Sequence, residues 1–102
     1  MAPIDPRDAK DDVVRSLLPT FLQRRAGDVQ KIRDALAQND FDVVTTVGHN
    51  LRGNGTSYGF PMLSSIGETI EKAAVARDAA AIARAIDSLN AELARIDATR
   101  ST

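Results

Sequence analysis

Cysteine and tryptophan are absent from the 102-residue chain, and His49 is its only histidine. Without cysteine there can be no disulfide scaffold, no thiolate metal site and no cysteine nucleophile. One imidazole cannot make a zinc or di-iron centre that needs several, so no metal site is expected. Aromatic residues are scarce at 4%, which leaves aliphatic side chains to build a core from a hydrophobic fraction of 43%. No apolar run approaches the roughly 20 residues that cross a bilayer, and MAPIDPRDAKDD at the N-terminus is no signal peptide. An excess of one charge is also missing: 13 Lys+Arg face 14 Asp+Glu, a formal net charge of -1. Nucleic-acid binding relies on clustered, uncompensated cations, so that function is not expected. The length allows a single domain over 1–102, with 1–7 and 99–102 expected to be flexible. These exclusions point to a small, cytoplasmic, soluble domain.

What is present is helical periodicity almost throughout. Val13, Val14, Leu17 and Leu18 form an apolar stripe on a first segment, Asp8 to Leu18. Pro19 suits the first turn of a new helix or a kink. Leu18, Phe21, Leu22, Val29, Ile32 and Leu36 then share one side, and Gln38-Asn39-Asp40 reads as helix end, turn and N-cap. The next helix carries Phe41, Val44, Val47 and Leu51 inward. Ser57-Tyr58-Gly59-Phe60-Pro61 ends it, with Gly59 suited to a left-handed position and Pro61 to the next helix start. Leu63, Ile66, Ile70, Ala73 and Ala74 mark another buried face. Asp78 caps a last helix whose Ile82, Ile86, Leu89, Leu93 and Ile96 alternate steps of four and three. Phe60, Met62 and Leu63 are read as core. The short linkers require antiparallel neighbours. The expected fold is all-α, an antiparallel up-down four-helix bundle with an additional N-terminal helix.

At about 100° per residue, His49 lies on the order of 170° from the arc centred on Val44, Val47 and Leu51. That angle removes His49 from the core. Arg52 and Gly53 follow one turn along on the same face; Thr45 and Thr46 precede, and Thr56 lies two turns ahead. Arg52 is the only charged residue between Val43 and Gly67, although charged residues make up 26% of the chain. One imidazole and one guanidinium in small, neutral surroundings suit an incoming dianion, to which Arg donates as a charge-assisted fork. Gly48, Gly53 and Gly55 each weaken a helix by about 1 kcal/mol relative to Ala. Two explanations stand together for them: a missing side chain at Gly53 lets another protein reach the ring, or the helix stops near Arg52 and Gly53-Asn54-Gly55 is a turn.

His49-Asn50-Leu51-Arg52-Gly53, then Asn54-Gly55-Thr56-Ser57-Tyr58-Gly59-Phe60 and Leu63, resembles the signature of histidine-containing phosphotransfer (HPt) domains. That family shows His-x-Leu-Lys/Arg-Gly, a small polar stretch, and a glycine near the helix end. Pro19-Thr20-Phe21-Leu22, Ala35-Leu36 with Asp40, and Ile70-Glu71-Lys72-Ala73-Ala74 extend the likeness over nearly the whole chain. Arg52 stands where Lys is commoner, and Gly55 where Ser is frequent.

The resemblance implies that His49 is phosphorylated at Nε2 by the aspartyl phosphate of a receiver domain. A second receiver, of a response regulator or of a hybrid histidine kinase, then accepts the group. It implies no cofactor in this chain, the receiver supplying Mg²⁺. Arg52 would pair with phosphoryl oxygens and Gly53 would give clearance. Thr45, Thr46, Asn50, Thr56 and Tyr58 are candidates for the docking face, the threonines fitting an ordinary helix surface as well. No Gly-rich loop with Lys and Ser/Thr is present, so a carrier without ATP-dependent kinase activity is expected. A module that docks on a receiver and occludes it without transfer is the alternative. The polar helix exteriors favour a monomer that binds neither nucleic acid nor membrane.

Overall fold

A computed structural model describes the backbone of residues 6–100 and the side chains of 15–99. Among the described residues there are four helices: α1 (Pro6–Ala37), α2 (Phe41–Tyr58), α3 (Pro61–Val75) and α4 (Ala79–Arg100). Each packs on two others, α1 and α3 both lying between α2 and α4.

The expected additional N-terminal helix is not a separate element. Pro19 lies inside α1, which runs through it for 32 residues. An internal proline removes one backbone hydrogen bond and normally kinks or breaks a helix, at about 3 kcal/mol. Two features carry α1 across it. Leu18, Phe21, Val29 and Ile32 are all buried, so the inward phase is unbroken on both sides of the proline. No described residue near it takes the left-handed conformation that turns the chain; among the described residues Asn39, Gly59 and Arg77 do. Leu17, expected in the apolar stripe, is instead 45% exposed. Val13 and Val14, and the flexibility expected of 1–5, 101 and 102, lie outside the described residues or side chains. Pro6, Arg7, Thr99 and Arg100 are helical.

The three connections share one construction. Asn39 N–H donates to Leu36 O and Asp40 N–H to Ala35 O; Gly59 and Phe60 donate to Thr56 O and Gly55 O; Arg77 and Asp78 donate to Ala74 O and Ala73 O. This pair of bonds satisfies carbonyls that a helix end leaves open. Gly59 adopts φ 77, where a side chain would be strained. The new helices then start on a cap or a proline. Asp40 accepts from Val43 N–H at 3.2 Å, Asp78 from Ala81 N–H at 3.0 Å, and Pro61 opens α3.

The core is aliphatic as expected, with Ile32, Val44, Leu51, Leu63, Ile70, Ile82, Leu89 and Ile96 fully enclosed. Met62 departs from expectation. It sits in the first turn of α3, 56% exposed, while Leu63 beside it is fully buried and Phe60 packs half-buried against the core.

Candidate functional site

α2 runs unbroken from Phe41 to Tyr58. The turn considered at Gly53-Asn54-Gly55 therefore does not exist. With Val44, Val47 and Leu51 buried, the helix rotates His49 outward, and its side chain is 62% exposed.

Two of the three α2 glycines serve a different purpose from either reading of the sequence. A Cβ on Gly48 would lie 2.7 Å from Glu71 N and 3.0 Å from Gly67 O; one on Gly55 would lie 2.4 Å from Ser64 N. On the facing helix, a Cβ on Gly67 would lie 2.4 Å from Arg52 N. The backbones of α2 and α3 thus touch through glycine, closer than any side chain would permit. Gly53 alone of these four has open space where a Cβ would be.

Close approach of α3 carries a carboxylate into the site. Glu71 Oε1 stands 3.3 Å from His49 Nδ1, and Glu71 Oε2 stands 3.8 Å from Arg52 Nη1. The neutral, carboxylate-free surroundings read from the sequence hold along α2 only. A carboxylate at Nδ1 favours the tautomer that carries its proton there and leaves a lone pair on Nε2.

On the other side of His49, α1 supplies a second wall. Arg25, Asp28 and Lys31 from α1 and Val47, His49, Asn50, Gly53 and Asn54 from α2 line a shallow hollow of about 440 Å³. Arg25 is pinned in it: Nε lies 2.8 Å from Asp28 Oδ2, and its guanidinium sits 5.2 Å from the centre of the Phe21 ring. Burial holds the Asp28 carboxyl above its ordinary value, outweighing the opposing pull of Arg25 and then Lys31.

His49, Arg52, Gly53 and Asn50 therefore lie together around one exposed ring. The threonines face the same side, but their hydroxyls are engaged locally. Thr45 donates to Phe41 O at 2.8 Å, Thr46 to Asp42 O at 3.2 Å and Thr56 to Arg52 O at 3.2 Å, Thr56 also sharing a bond with Ser64 Oγ at 3.0 Å. Tyr58 is elsewhere. It stacks on Phe21 with ring centres 4.3 Å apart and lines a separate hollow between α1 and α2. Sequence reasoning missed Glu71 beside the ring, and Arg25 and Asp28 in the hollow that His49 borders. The i, i+3 spacing of Arg25 and Asp28 signals their pairing but not which helix they face.

An outward imidazole on the second helix of a four-helix bundle, with a cation and a glycine one turn on, is the arrangement a phosphocarrier needs. Comparison with protein-family models matches the Hpt domain over residues 16–99. The chain belongs to the Hpt domain family. The matched segment takes in nearly all of the bundle, from Ser16 in the first half of α1 to Thr99 in the last turn of α4. Neither the curated proteins nor the solved structures gave a match. Hpt domains act in phosphorelays with response-regulator receiver domains, as phosphocarriers rather than kinases. Among the described residues of this Hpt domain no helix is long and apolar enough to cross a membrane.

Proposed function

We propose that this Hpt domain accepts a phosphoryl group on His49 Nε2 from the aspartyl phosphate of one receiver and passes it to the aspartate of another. The observation that carries the reading is the pairing of an exposed imidazole with Glu71 at Nδ1, which leaves Nε2 as the nucleophile. In the forward step the Nε2 lone pair attacks phosphorus in line while the P–O bond to the receiver aspartate breaks, and the carboxylate leaves with the electron pair. The ring keeps its Nδ1 proton and becomes cationic; Glu71 is placed to stabilise that charge. Arg52 offers a guanidinium to the phosphoryl oxygens, and Gly53 leaves room for the receiver's loops. Phosphoryl transfer needs positioning and charge neutralisation more than covalent machinery. The receiver would supply Mg²⁺, whose charge would help to neutralise the phosphoryl group during transfer.

Asn50 and the hollow walled by Arg25 and Lys31 border the docking face, and the domain acts in the cytoplasm as a monomer. The experiment is incubation with phosphorylated receivers. His49 should take up an acid-labile, base-stable phosphate, and His49→Gln should take up none. Equal labelling of that variant refutes the assignment; receiver binding with no label on either protein marks an occluding module instead.

A further inference from the structure

The glutamate at the ring does more than face Nδ1. One oxygen of Glu71 lies against the imidazole, while the other, Oε2, is shielded from solvent, has no hydrogen-bond partner within the chain, and points to Arg52 Nη1 at 3.8 Å. That distance is an ionic contact without a hydrogen bond, and Arg52 remains 47% exposed. Arg52 is therefore held by charge alone and is free to turn to another anion. On α2 the guanidinium has no carboxylate neighbour within a turn, since Arg52 is the only charged residue between Val43 and Gly67. Glu68 on α3 is engaged by Lys72 at 3.0 Å, and Lys72 is the main cause of its lowered pKa, with Arg52 a lesser one.

We propose that Glu71 competes with the phosphoryl group for Arg52, and that this competition keeps the loaded carrier ready to give the group up. The inference rests on His49 being the phosphorylated residue. In the empty site the charges of Glu71 and Arg52 offset each other. A phosphoryl dianion on Nε2 then draws on the same guanidinium that Glu71 already attracts. Arg52 can serve the phosphoryl oxygens fully only by loosening its contact with Glu71. The loaded state is held less tightly than Arg52 alone would hold it, as suits a protein that must pass its group onward.

Phosphoramidate, which phosphorylates imidazoles without a receiver, isolates the effect. The Nε2 lone pair attacks phosphorus, the P–N bond breaks, and ammonia leaves with the electron pair. After donor removal, ³¹P NMR follows hydrolysis, in which water attacks phosphorus and the electron pair of the N–P bond returns to Nε2. Four proteins are compared: wild type, Glu71→Gln, Arg52→Ala and the double variant. Glu71→Gln keeps an acceptor oxygen for the Nδ1 proton and removes the charge. Its phosphohistidine should last about three-fold longer, a size suited to a partly exposed ion pair, and should remain the Nε2 isomer. In the Arg52→Ala background the same substitution should change the lifetime little, since the two residues act as a coupled pair.

An unchanged or shortened lifetime in Glu71→Gln overturns the proposal. So does an equal effect in both backgrounds, which would place Glu71 on the ring alone, or a shift to the Nδ1 isomer. Labelling of His49→Gln by phosphoramidate would instead refute the site assignment itself.

Discussion

Gly67→Ala tests the contact between α2 and α3. The added Cβ would lie 2.4 Å from Arg52 N, 2.7 Å from Gly48 O and 3.0 Å from Arg52 Cα. All three atoms belong to backbone, so no rotamer change relieves the clash, and α2 must retreat by about 1 Å to restore ordinary contact. Overpacking of this kind costs about 3 kcal/mol at the upper end of its range. Exchanging Gly for Ala in a helix returns about 1 kcal/mol. The net loss of about 2 kcal/mol should lower Tm by roughly 10 °C in a domain of this size. Gly53→Ala is the control, because nothing lies within 4 Å of its Cβ position. It should raise stability by about 1 kcal/mol from helix propensity alone. Circular dichroism during urea and thermal unfolding measures both. ¹⁵N shifts of the His49 ring add a second readout, since retreat of α2 should draw Nδ1 away from Glu71 and mix the tautomers in Gly67→Ala only. A Gly67→Ala protein as stable as wild type, with an unaltered ring, would refute the reasoning.

Arg52→Ala should slow transfer from a phosphorylated receiver by about ten-fold, one lost charge-assisted contact, while Tm stays near wild type because a half-exposed cation adds little to stability; stopped-flow or gel transfer assays and calorimetry check the pair. Gly53→Leu should weaken receiver docking in a titration without loss of stability, as its Cβ enters open space. Asp40→Ala removes the side-chain acceptor of Val43 N–H and should cost about 1 kcal/mol in urea unfolding. Because burial raises the Asp28 pKa in the folded state, folded protein binds that proton more tightly than unfolded protein does. This contribution to stability is complete below the unfolded value near 3.8 and is lost as pH rises through the raised folded value. Wild type should therefore gain on Asp28→Asn as pH falls through that interval, and unfolding curves at successive pH values would show the reverse trend if the carboxyl were depressed.

Much of the bundle was legible because its signals are local. The steps of Ile82, Ile86, Leu89, Leu93 and Ile96, the caps Asp40 and Asp78, and the Gly59–Pro61 turn depend on residues within a turn or two. The continuity of α1 was obscured by Pro19, whose propensity marks a boundary; packing of Leu18 and Phe21 on either side outweighs it. Arg77, in the left-handed region at φ 56, carries no turn signal of its own. The outward angle of His49 followed from helix geometry, and so did its grouping with Arg52 and Gly53. Glu71 could not be placed that way. Its position beside the ring depends on the register of α3 against α2, set by Gly48, Gly55 and Gly67. In the sequence those glycines suggest access or a turn, because backbone contact between helices leaves no local pattern.

An even number of antiparallel helices returns the chain to its starting side. The beginning of α1 and the end of α4 therefore lie at the same end of the bundle as the Gly59 turn, while His49 is half-way along α2. A fluorophore, affinity tag or surface tether attached at the start of α1 or the end of α4 leaves from that end and does not have to cross the imidazole face. Immobilised protein should thus present its histidine to a visiting receiver equally well whichever of these two helix ends anchors it.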